Sequence, residues 1–161
     1  RLVATPLSPL VRVACASPEY LAQHGTPQSP SELTEHHGLD WSSLAPPHAW
    51  RFEASGKTTA YRPKRLRMTA NNAEALLFSA VEGLGIAHLP TWLIHEHLLR
   101  GELQALFSQN GLPPAEPSGI YALRLDREST SRSRLLLEFL KQRFAPVAPW
   151  DLSLQSLFAA G

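Results

Sequence analysis

The 161-residue chain has one cysteine, Cys15, and no apolar run near the roughly 20 residues that span a bilayer. A single cysteine excludes an internal disulfide and fits a reducing compartment. No charged stretch followed by an apolar segment indicates a secretion signal. The formal net charge is +1, which is too small for the chain as a whole to bind DNA. These absences favour a cytoplasmic globular domain.

Catalytic and metal-binding patterns are also missing. There is no Gly-x-Ser-x-Gly elbow, and Gly83-Leu84-Gly85 lies between a helical pattern and a strand pattern, the reverse of the order in a phosphate-binding loop. His95 and His97 lie two residues apart, so they would face nearly opposite sides of a helix, and His36-His37 are adjacent. We therefore expect no catalytic residues, no cofactor and no dedicated metal site.

Two features leave alternatives open. Cys15 lies in an apolar run and is predicted to be a small buried hydrophobe. A redox-active or effector-reactive thiol would instead need exposure and a lowered pKa. The basic run from Arg62 to Arg67 is predicted to be the solvated face of a strand, with attraction of anions near a cleft, or a partner surface, as the alternative.

Short apolar runs alternate with helical patterns, which predicts an α/β sheet with helices on its faces. Residues 41–67 have the alternation of antiparallel strands with turns. The segment 146–161 is either a short helix or an extended strap. The predicted strands are residues 2–7, 11–16, 50–53, 58–61, 66–69, 85–89, 103–107 and 119–125.

Helix boundaries follow from capping residues. Ser17 with Pro18 begins the first predicted helix, and Ser29 with Glu32 forms a capping box for the second, which we expect to end at Gly38. Asn71 or Asn72 caps the clearest helix, which carries its apolar residues at i, i+3, i+4 and i+7. Ser129 or Ser131 is expected to cap the last strong helix.

The start of the helix after Asn71 is the best candidate for a binding site. A helix amino end exposes unpaired N–H groups and a positive dipole end, which attract carboxylates and other anions when they face a cleft. The alternative is an ordinary cap with nothing bound.

Several segments together resemble the effector-binding domain of LysR-type transcriptional regulators. Val11 to Leu21 followed by His24-Gly25-Thr26-Pro27 is similar to the hinge strand and first helix of the family's second lobe. Asn71 to Leu76, continuing through Gly83 to Pro90, is similar to the family's most recognisable stretch. The resemblance covers roughly residues 1–145 and rests on the order and spacing of these pieces.

The resemblance implies an α/β fold like the type II periplasmic-binding proteins, in which two lobes are joined by crossing strands, with the first lobe largely missing here. It implies that residues 1–15 are a remnant of lobe one and the first crossing strand, near residues 10–16. Residues 16–118 would be lobe two, 119–145 the second crossing strand and a lobe-one helix, and 146–161 a tail. The family's winged helix-turn-helix is not in this sequence, so we expect a fragment that does not itself bind operator DNA.

The resemblance also implies a function and partners. The domain would bind a small-molecule effector and relay its presence, as a homodimer or homotetramer, to the DNA-binding domain, with no membrane partner. The effector would contact the second-lobe wall, which consists of Thr69, Ala70, Asn71, Asn72, Pro90 and Thr91. The alternative is the solute-binding domain of a transport system, which has the same fold.

Overall fold

A five-stranded sheet forms the centre of the computed structural model, which describes residues 1–42, 49–54, 57–108, 112–125 and 130–159. Its strands are β2 (Arg12–Ala16), β3 (His37–Trp41), β6 (Arg65–Ala70), β7 (Ile86–Pro90) and β8 (Gln104–Leu106). Their order across the sheet is β6-β3-β7-β2-β8. Strand β3 is parallel to β6 and β7, and β2 is antiparallel to β7 and β8.

One face of this sheet packs against three helices: α2 (Ala73–Val81), α3 (Thr91–Leu99) and α5 (Pro149–Ala159). Alternate residues of β2 supply this core from the sheet side, because side chains point to opposite faces along a strand. The fully buried helix residues here include Ala80, Ile94 and Leu154. The sheet and its helices are called the body below.

The opposite face is covered by α1 (Pro18–His24), a 3₁₀ helix (Pro30–Glu35) and a hairpin of β4 (Trp50–Ala54) and β5 (Lys57–Tyr61). The hairpin confirms antiparallel strands within residues 41–67. The same expectation is wrong for β6, which pairs in parallel with β3.

The expected helix stop at Gly38 is wrong. The 3₁₀ helix ends at Glu35, and Gly38 lies inside β3. A β-carbon at Gly38 would lie 2.1 Å from the Pro63 β-carbon, so the glycine is needed for close packing rather than for a helix end. The predicted capping pair forms in part: Glu32 accepts the backbone N–H of Gln28 at 3.0 Å, but the Ser29 side chain makes no backbone cap bond.

A separate two-stranded ribbon leaves the body. It pairs β1 (Leu2–Pro9) with β9 (Gly119–Leu125) in antiparallel, and α4 (Ser131–Phe144) packs against β1. These three elements are called the arm. The cap of α4 is Thr130, whose hydroxyl accepts the N–H of Ser133 at 3.2 Å, and not Ser131, which is the first helical residue; Ser129 lies outside the described residues.

The arm carries a large exposed apolar surface. Its Leu, Tyr and Phe side chains are more than half exposed at Leu2, Tyr121, Leu123, Leu125, Leu135, Leu136 and Phe139. Exposed apolar side chains of this kind are typical of a surface that another element covers. On α4 they are Leu135, Leu136 and Phe139, while Phe144 of the same helix contacts Trp150.

Within the tail, residues 149–159 form a helix and not an extended strap. Pro149 occupies the first turn of this helix, where its missing N–H costs nothing. The helix lies against α3, and the ring of Trp150 contacts Phe144 of α4 with centroids 5.3 Å apart. In the described residues, no helix has both the length and the apolar composition to cross a membrane.

Candidate functional site

A cavity of about 420 Å³ lies where the carboxyl ends of β3 and β7 meet the start of the arm. Residues far apart in the sequence line it. Among the lining residues are Leu10, Arg12, Asp40, Trp41, Trp50, Ala73, His88, Pro90, Trp92, Glu116 and Ile120. The mixture of large apolar walls with a few polar groups is typical of a small-molecule site.

Three charged side chains reach this cavity. Arg12 extends from β2 and donates to the carbonyl of His88 at 3.3 Å. Burial lowers the pKa of the Arg12 guanidinium, while the nearby charges of Glu116 and Asp40 raise it. Arginine remains charged in proteins because its ordinary pKa lies above 12. The cavity therefore contains one cation and two carboxylates.

Trp50 forms the wall between the cavity and the hairpin. Its side chain is only 3% exposed, and its indole stacks on the His88 ring with centroids 5.7 Å apart. The indole Nε1–H donates to Asp40 Oδ1 at 3.1 Å, and the same oxygen accepts the backbone N–H of Trp41 at 2.9 Å. Two neutral donors thus hold the Asp40 carboxylate in a fixed orientation.

The amino end of α2 lies beside the cavity, which Ala73 and Leu76 line. Asn72 is the cap, and its Oδ1 accepts the N–H of Glu74 at 2.8 Å, so one of the end's donors is already used. Asn71 and Asn72 are exposed and are not among the residues that line the cavity, and the same holds for Thr69 near the end of β6.

The remaining predicted effector residues are buried to different degrees. Ala70 is partly buried, and its carbonyl accepts the N–H of Ser42 at 2.8 Å. Thr91 is 1% exposed and binds the Val11 carbonyl through both its backbone N–H and its hydroxyl. Of the six predicted residues, Pro90 is the one found among the described residues that line the cavity.

Sequence reasoning did not nominate Arg12, Asp40, Trp50, His88 or Glu116. No spacing rule joins them, because they come from four strands and a loop that only the tertiary fold brings together. Two exposed tryptophans, Trp41 and Trp92, were the available indication, since large exposed aromatic side chains mark binding surfaces.

Cys15 is fully buried in the interior strand β2, and burial raises the pKa of its thiol to about 12. A reactive thiol needs exposure and a lowered pKa. The interpretation of Cys15 as a small buried hydrophobe is therefore the one that this structure supports. Within the described residues, no group of three or more His, Cys, Asp or Glu side chains is placed to hold a metal ion.

Histidines cluster on the other side of the body, around Tyr20. The Tyr20 hydroxyl accepts the backbone N–H of His37 at 2.9 Å and lies 3.2 Å from His36 Nδ1. The His24 ring stacks on Tyr20 with centroids 4.3 Å apart. Because the hydroxyl has one proton, it can donate to His36 only while that imidazole is neutral.

We expect stability to depend on this cluster below neutral pH. Burial, and then the charge of His24, lower the pKa of His36 below its ordinary 6.5, and burial also lowers that of His37. As the pH falls below about 6.5, the unfolded chain therefore binds protons before the folded chain does. The free energy of unfolding decreases until the pH falls below the folded-state pKa. Urea denaturation of the chain between pH 8 and pH 5 measures this loss.

The variant His36→Gln keeps an acceptor for the Tyr20 hydroxyl and removes the ionisation. Between pH 7 and pH 5 it should lose less free energy of unfolding than the wild type does. Above pH 8 the difference in free energy of unfolding between the two proteins should stay constant. Parallel curves over the whole range would show that His36 does not contribute to the pH dependence.

Comparisons with known proteins place this fold. Residues 1–145 match the family described as the LysR substrate binding domain. The uncharacterized HTH-type transcriptional regulator YhjC of Escherichia coli is 33% identical over 140 residues, which are 86% of this chain and 46% of that protein. The HTH-type transcriptional regulator CrgA of Neisseria meningitidis is 33% identical over 127 residues, 78% of this chain and 41% of CrgA.

Solved structures agree with these matches. The regulatory domain of CrgA from Neisseria meningitidis aligns with a TM-score of 0.73 at 29% identity, over 88% of this chain and 68% of that domain. Full-length AphB, a virulence activator of Vibrio cholerae, aligns with a TM-score of 0.70 at 25% identity, over 88% of this chain and 47% of AphB. The α/β, periplasmic-binding-protein-like fold is confirmed, and the chain spans about half the length of the curated relatives it matches.

Proposed function

This chain belongs to the LysR substrate-binding domain family, and from that premise we propose that it is the effector-sensing domain of a longer DNA-binding transcriptional regulator. The observation that carries the proposal is the cavity of about 420 Å³ between the body and the start of the arm. Its walls combine buried apolar side chains with a few fixed polar groups, as small-molecule sites do. The comparisons give no support to the transport-system alternative.

We propose that the body is lobe two and that the arm contains the crossing strands and part of lobe one. The paired strands β1 and β9 both leave the body beside the cavity. On this division the first crossing precedes β2, since β2 is an interior strand of the body sheet. The exposed apolar face of the arm would then pack against the rest of lobe one.

The regulator's partners follow from this division. DNA would be contacted through a winged helix-turn-helix outside this chain, and the regulator would act in the cytoplasm as a homodimer or homotetramer. The domain would need no catalytic residue, cofactor or metal. An effector that binds better to one arrangement of the two lobes would shift their equilibrium, and with it the spacing of the DNA-binding domains.

The six residues predicted from the sequence would form the effector's rim on lobe two. Thr69, Asn71 and Asn72 present exposed polar groups before the first turn of α2, Pro90 lines the cavity, and buried Thr91 follows Pro90 as the first residue of α3. Ala70 joins the rim to β3, since its carbonyl accepts the N–H of Ser42. An effector held by the cavity would therefore meet these hydroxyl and amide groups at its outer end.

A thermal-shift screen of small metabolites against the chain tests this function. A ligand at a concentration of about 100 times its Kd should stabilise the fold by about 2.7 kcal/mol, which corresponds to a rise in Tm on the order of 5–10 °C. The double variant Thr69→Ala, Asn71→Ala should keep the ligand-free Tm, because both side chains are exposed, and should lose most of the ligand-induced rise.

The paired control is Ser156→Ala with Gln155→Ala, two exposed positions on α5 that are not part of the cavity. This control should respond to the ligand as the wild type does. A full ligand response in the Thr69, Asn71 variant would show that these two residues at the amino end of α2 do not contact the ligand. A broad library without any stabilising compound would count against the sensor function itself.

A further inference from the structure

The cavity has an excess of negative charge. Among the described residues that line it, Arg12 contributes one positive charge and Asp40 and Glu116 contribute one negative charge each. None of the ion pairs within 4.0 Å in the described part of the chain includes Arg12, so the guanidinium does not fully neutralise either carboxylate by direct contact. A purely anionic ligand would meet repulsion from both acids here.

The Asp40 carboxylate is held in place by neutral hydrogen-bond donors. The two donors to its Oδ1, the Trp50 indole N–H and the Trp41 backbone N–H, are both neutral. They fix the carboxylate without an opposite charge. A fixed carboxylate at the edge of a cavity is a ready acceptor for a charge-assisted hydrogen bond from a ligand.

Two indole rings stand beside these acids. Trp41 and Trp92 both line the cavity, and they are 37% and 43% exposed. Tryptophan has the most favourable aromatic face for a cation, and aromatic side chains combined with carboxylates recognise organic ammonium groups. The amino end of α2 has one donor fewer for an anion, since Asn72 Oδ1 already accepts the N–H of Glu74.

We propose that the ligand of this cavity carries an organic ammonium group, which contacts Asp40 and Glu116 and lies against the faces of Trp41 and Trp92. This inference rests on the proposed sensor function and specifies the class of effector. A ligand that also carries a carboxylate would place it toward Arg12. Simple amines and amino acids share the ammonium chemistry, and the experiment distinguishes them.

Two matched sets of compounds on the same carbon skeletons provide the probes. One set is 3-phenylpropionate, phenylalanine and 3-phenylpropylamine, and the other is butyrate, 4-aminobutyrate and butylamine. Binding to the chain is followed by NMR shifts of the indole N–H groups. We expect ammonium-bearing members to bind more tightly than the carboxylate with the same skeleton. A preference for the amino acid over the amine would indicate that Arg12 takes part.

The variant Glu116→Gln tests the acids, because no described hydrogen bond of the fold uses that side chain and the exchange keeps its shape. Loss of a charged partner should weaken the binding of an ammonium compound about tenfold. Glu138→Gln, an exposed change on α4 away from the cavity, should leave the affinity unchanged.

The proposal is overturned if the carboxylate-only compounds bind as well as their ammonium counterparts, if no ammonium compound binds, or if Glu116→Gln binds as the wild type does. A carboxylate that binds and stabilises the fold would overturn the ammonium assignment and leave the sensor function standing. The ammonium proposal and the sensor proposal can therefore be contradicted separately.

Discussion

Replacing Trp50 by alanine should destabilise the fold by about 3–5 kcal/mol, the range for removing a buried tryptophan. The indole is 3% exposed, belongs to the core between β7 and the hairpin, and stacks on His88. Its loss also removes the N–H that holds Asp40 Oδ1. Urea denaturation followed by circular dichroism measures the free energy of unfolding.

The matched control is Trp92→Ala, which removes the same side chain from an exposed position on α3. Because Trp92 is 43% exposed, this change should cost about 0.5–1 kcal/mol, while it should weaken ligand binding at the cavity. Similar losses of stability in the two variants would mean that the hairpin does not pack on the sheet as described.

The sequence predicted α1 and α2 well, because their signals are local. Ser17 caps α1 through its hydroxyl, and Asn72 caps α2, as expected from the residue types alone. The apolar spacing of α2 likewise predicted its buried side, with Leu76, Leu77 and Ala80 all in the core. Capping and periodicity depend on neighbours a few residues away, so a single sequence contains them.

Strand β3 was missed for a reason that is also physical. His37-Gly38-Leu39-Asp40-Trp41 has few β-branched residues and contains a glycine, so it lacks the usual strand composition. It is a strand because β6 and β7 pair with it on both sides and Pro63 covers Gly38. Both of these contacts are tertiary, and the composition of the segment does not reveal them.

The candidate site was predicted only at its edge. The argument from the α2 amino end predicted a site that adjoins this cavity, since Ala73 and Pro90 line it, and the effector contacts themselves stay a prediction. The charged residues that give the cavity its character are Arg12 in β2, Asp40 in β3 and Glu116 in the loop before β9. Their proximity depends on strand order and on the path of the ribbon, which no local pattern encodes.

Replacing Leu154 by alanine should destabilise the chain by about 2–5 kcal/mol, as other buried leucines do. Leu154 lies in α5, is fully buried, and packs in the same cluster as Ile94 and Leu98 of α3. The neighbouring Leu152→Ala is the control, because that side chain is 60% exposed and its loss should change stability by less than about 0.5 kcal/mol. Urea denaturation compares the two variants.

The consequence of losing Leu154 reaches beyond α5. Helix α4 packs on β1 of the arm, and α5 packs on α3 of the body. The segment between α4 and α5 is therefore a third connection between arm and body, in addition to the two ends of the ribbon. Weakening the α5 contact should therefore increase hydrogen exchange in α4 and β1 as well as in α5 and α3. If exchange rises in α5 alone, or if Leu152→Ala costs as much as Leu154→Ala, then α5 does not restrain the arm.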